Sequence, residues 1–342
     1  MKENVKKNNT IQVMRAVAII LVLIHHSISN VKHGVILTSF DNIIICFHMP
    51  IFFIISGYLF ELKNKDYLEK GRQKFIKNKL VHLILPYLFW TVILYIGVQI
   101  ACKINSSFMT KIGFEPMGIF SMLKGILTYE VYYTQHLWFL YVLFVMFIIN
   151  IFSTKINKKL LLFFSILIGI STYLIKYPNI IYRLFLWFPF FVVGRCIVNT
   201  NNIKSISKIK IVLSIVLFMV LALLRLNISN LIYDKTILKL ISPILMYSIG
   251  VLGVYLTYVF SSNVHNNIKM KLKKIGDYSY EIYLMHNPYF VAVSSIILSS
   301  ILKMPSYICI IISVAIGIVI PIFISKFVYK YASKVSIIMF GK

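Results

Sequence analysis

The stretch SYICIIISVAIGIVIPIFIS (306–325) contains no charged residue. A helix of that length is about 30 Å long, which matches the hydrocarbon thickness of a bilayer. Similar apolar runs recur along the chain, which is 59% hydrophobic and 13% charged, with a mean hydropathy of +0.84. The core of a soluble protein of 342 residues cannot bury so much apolar surface. The sequence therefore predicts a membrane protein.

We expect an all-α integral membrane protein, a bundle of about ten transmembrane helices in one polytopic domain over residues 1–342, without an appended soluble domain. The start MKENVKKNNT (1–10) resembles that of a signal peptide, but no small-residue cleavage site follows, so the first helix should be retained. The predicted spans lie near 11–30, 41–62, 80–102, 136–153, 160–176, 180–198, 208–226, 237–260, 278–302 and 306–328.

The basic residues predict the orientation of these spans. With the N-terminus in the cytoplasm, 26 of the 36 lysines and arginines lie on the cytoplasmic side. This bias is the positive-inside pattern, so we expect both termini in the cytoplasm and a multi-pass protein of the inner, cytoplasmic membrane. A net charge of +26 would suggest nucleic acid in a soluble protein. Between apolar runs it indicates the lipid bilayer as partner, and no nucleic acid.

Two connecting segments differ from simple loops. Residues 61–79 are highly basic and roughly amphipathic, which predicts a segment along the cytoplasmic surface. Residues 103–135 are too many for a simple connection and predict a re-entrant or interfacial helix at the outer side. Neither a disulfide framework nor a zinc site is indicated by the four single cysteines, Cys46, Cys102, Cys196 and Cys309.

Arg15 and His26 are ionisable groups within the first span, where charge is costly. Eleven positions separate them, so a helix turns their side chains to within about 20° of one face, with a rise of about 16 Å. A thioester on a pantetheine arm has about that reach, with its phosphates at the arginine. The alternative is a positive-inside anchor plus a histidine bonded to a nearby carbonyl, and on spacing alone this alternative carries more weight.

Further polar residues lie in other spans. His25 points about 100° away from His26, so the two do not share a role on one face. His48 precedes a proline and needs a partner, while Ser56 and Gly57 offer a small surface that favours close helix packing as much as a site.

The outer start of the fourth span carries His136 and Trp138. An aromatic anchor at the membrane interface is the default interpretation of Trp138. For His136, an anchoring role and contact with an acceptor hydroxyl are equally open. Glu281 and His286 are five residues apart and do not stack on one face, and Asn287-Pro288 predicts a break in the helix.

Motifs of soluble nucleotide-binding and hydrolytic enzymes are missing. The chain has no Walker loop, no dinucleotide-binding glycine fingerprint, no HExxH and no GxSxG elbow. Any chemistry must therefore come from the helix bundle.

Five blocks in order resemble the acyltransferase 3 family of membrane-bound O-acyltransferases, in the branch that modifies surface polysaccharides without a fused SGNH domain. They cover nearly the whole chain, and the first holds the family's arginine, ten residues, then histidine. The blocks are RAVAIILVLIHHS (15–27), FHMPIFFIISGYLF (47–60), KLVHLILPYLFW (79–90), HLWFLYVLF (136–144) and IGDYSYEIYLMH (275–286).

The resemblance implies transfer of an acetyl or other short acyl group from cytoplasmic acyl-CoA, as co-substrate and without a metal, to a sugar hydroxyl of a surface glycan or its lipid-linked precursor. It implies that His26 is the essential general base or acid and that Arg15 holds the CoA end. Weaker candidates for binding the phosphates of CoA are Arg72, Lys79 and Arg195. Many relatives carry arginines where this chain has Lys79 and His82, and lysine meets phosphate as a point charge rather than a bidentate clamp.

Two other functions remain open at this point. One is a transporter or flippase of a glycan or lipid-linked sugar, although no inverted repeat of broken segments is visible. The other is a sensor or assembly partner, against which Arg15 and His26 count. The acceptor, the acyl group and the oligomeric state are not predicted, and a homo-oligomer is one candidate.

Overall fold

The computed structural model describes residues 8–111, 113–128, 131–199 and 207–342. Helices make up 87% of the structure, and no strand occurs among the described residues. The predicted fold class, an all-α polytopic membrane bundle, is confirmed.

Seventeen α-helices are described. The first nine are α1 (Asn9–Ile28), α2 (Val35–Leu62), α3 (Asn64–Glu69), α4 (Arg72–Lys79), α5 (Leu85–Ile104), α6 (Ser106–Lys111), α7 (Ile119–Thr128), α8 (Trp138–Phe152) and α9 (Lys158–Leu174). The others are α10 (Asn179–Cys196), α11 (Lys208–Leu231), α12 (Lys235–Asn263), α13 (Asn266–Asp277), α14 (Ser279–Met285), α15 (Ala292–Ile296), α16 (Ser306–Tyr331) and α17 (Ser333–Phe340). Wider π turns occur at Leu80–Ile84, His286–Phe290 and Ile297–Ile301, and tighter 3-10 turns at Tyr132–Leu137 and Ile197–Asn199.

Nine stretches of the described chain are long and apolar enough to cross a membrane. The remaining predicted span, 160–176, is the fifth in chain order and corresponds to α9. This helix has 17 residues and a length of about 25 Å, short of the roughly 30 Å of a hydrocarbon core. The nine stretches are Asn9–Ile28, Val35–Leu62, Arg72–Ile104, Ile119–Phe152, Asn179–Cys196, Lys208–Leu231, Lys235–Asn263, Ser279–Ile301 and Ser306–Tyr331.

The helices group into two compact units, each built from three separate segments. Neither unit is contiguous in the sequence. The single domain over 1–342 stays a prediction. Unit 1 comprises Met1–Lys65, Thr154–Tyr177 and Phe185–Ser279, and unit 2 comprises Asp66–Ser153, Pro178–Leu184 and Tyr280–Lys342.

Unit 1 is organised around α1, which packs against α2, α12 and α13. Glycine permits two close backbone crossings there. A Cβ added to Gly276 of α13 would lie 1.8 Å from the carbonyl oxygen of Gln12. Between α2 and α10, a Cβ at Gly57 would lie 1.9 Å from the Phe191 oxygen, and one at Gly194 would lie 2.1 Å from the Ile54 oxygen. The predicted packing surface at Gly57 is therefore present, because only hydrogen fits there.

In unit 2, the described parts of the long segment 103–135 fold back onto α5. Val98 and Cys102 of α5 form a buried cluster with residues of this segment, including Met109 and Tyr133. Gln99 Nε2 also donates to the Met117 carbonyl oxygen at 2.7 Å. Within the segment, α7 leaves a large apolar surface uncovered, including Phe120 at 84% exposure. This surface suits a helix at a membrane interface, as the sequence predicts.

Candidate active site

The predicted arginine and histidine lie on one uninterrupted helix of unit 1. Helix α1 runs from Asn9 to Ile28, and both Arg15 and His26 are half-buried in it. The regular helix preserves the register expected from the sequence, with a rise of about 16 Å between the two positions. At the far end of α1, Asn30 Nδ2 donates to the His26 carbonyl oxygen at 2.6 Å.

His25 of this helix has an acidic partner. It faces α2, where its Nδ1 lies 2.7 Å from Oδ1 of Asp41, and the two side chains are 24% and 16% exposed. A carboxylate oxygen only accepts, so Nδ1 of His25 donates and the remaining lone pair of the neutral ring lies on Nε2. This is the arrangement of an imidazole oriented by a carboxylate.

The rings of two other histidines lie beside that of His25. The ring centroid of His25 lies 5.1 Å from that of His26 and 5.5 Å from that of His48. His48 is buried, and its Nδ1 donates to the Ile44 carbonyl oxygen at 2.8 Å, which supplies the partner that the sequence requires. His25 and His26 do point in different directions along α1, yet their rings remain neighbours. We call His25, His26, His48 and Asp41 the histidine cluster.

His136, the second predicted catalytic histidine, belongs to unit 2. It lies in the 3-10 turn before α8, is only 5% exposed, and its carbonyl oxygen accepts a hydrogen bond from the Tyr283 hydroxyl. Its ring stands perpendicular to that of His286 with centroids 5.4 Å apart. The predicted break beside His286 is present, because α14 ends at Met285 and Asn287 is extended at φ −126° and ψ 145°. A histidine pair therefore forms in unit 2 as well.

The cationic residues predicted to bind phosphate lie in different surroundings. In unit 2, the Arg72 guanidinium lies 5.4 Å from the ring centre of Phe152, and Lys79 Nζ lies 3.9 Å from that of Phe147. Tyr67, 6.0 Å from Lys79 Nζ, has its pKa raised by burial, with a further contribution from the Asp66 carboxylate.

Arg195 is the most deeply placed of these cations, with no exposed surface. In unit 1 its Nε donates to Oε2 of Glu61 at 2.9 Å, and the other oxygen of that carboxylate accepts from Lys158 Nζ at 3.1 Å. The carboxylate thus holds two cations in place. A cavity of about 410 Å³ opens beside it, lined by Glu61, Thr154, Ile156, Asn157, Lys158 and Lys159.

Comparison with known proteins decides the family. Residues 8–324 match the acyltransferase domain of the acyltransferase 3 family, which is nearly the whole chain. The chain belongs to the acyltransferase 3 family. No match is found among curated proteins or among solved structures.

Membership in the acyltransferase 3 family makes this chain a membrane acyltransferase and agrees with the resemblance of the five sequence blocks. Within the described residues, no group of three His, Cys, Asp or Glu side chains is placed to hold a metal ion.

Sequence reasoning missed Asp41 as a partner of the α1 histidines. A signal for it exists, because Asp41 and His48 are seven positions apart and so share one face of α2. The approximate 100° offset that separates His25 from His26 is also what turns His25 toward this face. Glu61 and Lys158 were missed because their positions, 97 residues apart, are joined only by the tertiary fold.

Proposed function

We propose that this acyltransferase moves an acetyl or similarly short acyl group from acyl-CoA to a sugar hydroxyl of a surface glycan or its lipid-linked precursor. The observation that carries the proposal is α1 itself, which presents a guanidinium and an imidazole in helical register about one thioester arm apart, in a chain of this family. The chain would lie in the cytoplasmic membrane with its termini inside.

The cationic side chains fit the anionic end of CoA. Arg15 offers five donors in a planar fork, which suits phosphate oxygens, and lies near the N-terminal end of α1. Arg72 and Lys79 are further proposed contacts. Arg195 would act through the Glu61 carboxylate that it anchors, with Lys158 and Lys159 on the cavity wall closer to an incoming anion.

The chemistry requires handling of one proton. The hydroxyl oxygen bonds to the acyl carbon and loses its proton, the carbon–sulfur bond breaks, and the departing thiolate is protonated to give free CoA. An alcohol is a weak nucleophile until a base removes its proton. His26 is proposed as the general acid–base residue, and His136 as a contact for the acceptor hydroxyl.

The decisive experiment follows label from donor to acceptor. Reconstituted protein receives radiolabelled acetyl-CoA, and label is followed into membrane glycan and into a series of methyl glycosides. Loss of a general acid–base residue lowers rates by about 10²–10⁴-fold, so His26→Ala should fall by that factor. His33→Ala is a matched control, since His33 is exposed and its Nδ1 donates to the Val31 carbonyl oxygen at 2.8 Å.

Two results would contradict the proposal at different levels. Transfer by His26→Ala at the wild-type rate would remove His26 from the reaction. Movement of glycan across the membrane without any consumption of acyl-CoA would replace the transferase by a transporter.

A further inference from the structure

The histidine cluster contains two imidazoles that the proposed reaction does not use, those of His25 and His48. His25 Nδ1 is fixed by Asp41 at 2.7 Å, and its Nε2 makes no hydrogen bond within the part of the chain that the structure describes. The His25 side chain is 24% exposed, so the ring is not sealed within the bundle. An oriented imidazole with an available lone pair can act as a general base.

The surroundings keep this ring in one orientation. His26 packs against it along α1 and His48 from α2, with ring centroids 5.1 Å and 5.5 Å away. His48 is itself fixed by its hydrogen bond to the Ile44 carbonyl oxygen. Packing and a hydrogen bond at the ring nitrogen opposite the reacting one fix the orientation of a catalytic imidazole. Such a group loses little conformational freedom when substrate binds.

We propose that His25, oriented by Asp41, is the base that takes the proton of the acceptor hydroxyl, while His26 beside it protonates the sulfur. This inference rests on the proposed function. As the oxygen–carbon bond forms, the hydroxyl proton passes to Nε2 of His25. As the carbon–sulfur bond breaks, the thiolate takes a proton from the protonated ring of His26, which becomes neutral, and leaves as free CoA. Proton exchange with water then resets both rings.

Asp41 is a positioning residue in this scheme. Its carboxylate keeps the hydrogen on Nδ1 and stabilises the imidazolium that forms when Nε2 gains the proton. An asparagine at the same place has nearly the same shape, but it can donate to Nδ1 and so favour the other tautomer. Asp41→Asn therefore separates the role of the carboxylate from the role of packing.

The test compares His25→Ala, Asp41→Asn, His26→Ala and the control His33→Ala in proteoliposomes. The donor is radiolabelled acetyl-CoA, and the acceptor is whichever methyl glycoside or membrane glycan the wild-type protein acetylates. His25→Ala should lose about 10²–10⁴-fold in kcat with an unchanged KM for acetyl-CoA, and Asp41→Asn should lose about tenfold or more. Size-exclusion chromatography checks that each variant is folded.

Chemical rescue distinguishes a base from a structural filler. Added imidazoles should restore transfer by His25→Ala in proportion to their basicity. If the His25 ring only fills space, the extent of rescue should instead follow the size of the added imidazole. Wild-type rates for His25→Ala, or rescue that ignores basicity, would overturn the inference.

The proposed function and the role of His25 are tested by different outcomes. If the wild-type protein acetylates a sugar, His26→Ala does not, and His25→Ala does, only the role of His25 is lost. If the wild-type protein transfers label from no acyl-CoA to any sugar, the proposed function and this inference are both overturned.

Discussion

At the scale of the residue, acidic side chains are few, and several of those that the structure describes lie beside cations or hydroxyls. The chain has ten acidic residues against 36 lysines and arginines. Asp41 contacts His25, Glu61 contacts Arg195 and Lys158, and Glu281, at 1% exposure, accepts from Lys342 Nζ at 2.7 Å and from the Tyr329 hydroxyl. A carboxylate in apolar surroundings is costly without such partners. These acids therefore orient neighbouring groups.

The Glu61 site gives a stability prediction. Removing one partner of a buried ion pair leaves an uncompensated charge, so Glu61→Leu should destabilise the protein by about 3–5 kcal/mol because Arg195 has no exposure. The double variant Glu61→Leu/Arg195→Leu should recover part of this loss. Lys158→Ala, at a side chain 24% exposed, should cost about 1 kcal/mol or less.

Unfolding in detergent, followed by helical circular dichroism, measures these differences. A double variant no more stable than Glu61→Leu would show that the buried charge is not the cause.

The residues on a single helix were the predictable part of the site. Arg15 and His26 follow from spacing along α1, and both lie on that helix as expected. Asp41 did not follow, because the predicted second span begins at that position whereas α2 begins at Val35, six residues earlier. Apolar patterning shows where a chain enters lipid, but a helix continues beyond that boundary. Asp41, the partner of His25, stands at the boundary of the predicted span but lies nearly two turns inside α2.

At the scale of the element, two glycines determine how closely α2 and α10 approach. A side chain at Gly57 or Gly194 would overlap a backbone oxygen of the facing helix. Helices in membranes associate through such small residues because lipid gives them no hydrophobic drive to pack. The sequence predicted this surface from Gly57, but the facing Gly194 required the tertiary structure.

The close approach of α2 and α10 is open to test. Gly57→Ala should destabilise the protein by about 1–3 kcal/mol, because the helices must separate to admit a methyl group. The matched control is Gly34→Ala at the start of α2, where an added Cβ meets nothing within 4 Å. The shift in the midpoint of detergent-induced unfolding reports the difference. Equal midpoints for the two variants would contradict the contact.

At the scale of the whole molecule, the bundle was predictable because lipid imposes a simple rule on length and polarity. The nine apolar stretches of the described chain correspond to nine of the ten predicted spans, and α9, which corresponds to the other one, is shorter than the hydrocarbon core. Segment 103–135 shows the limit of that rule, since only its length signalled a structured region. Its fold on α5 depends on side-chain contacts that no periodicity encodes.

The predicted orientation of the molecule can be measured directly. With the N-terminus inside, the connection between α1 and α2 faces outward and the segment between α3 and α4 faces the cytoplasm. A membrane-impermeant maleimide on intact cells should therefore label His33→Cys and not Lys70→Cys, both exposed positions. The parent protein, with Cys196 only partly buried, provides the background. The reverse labelling would invert the topology.

The crossing of α13 over α1 at Gly276 has a consequence for how such sequences evolve. The contact is with the main chain of Gln12, so a change of side chain at position 12 cannot make room for a larger residue at position 276. Natural drift at position 276 is thus blocked from both partners. A variant library at position 276 should recover glycine alone, whichever residue stands at position 12.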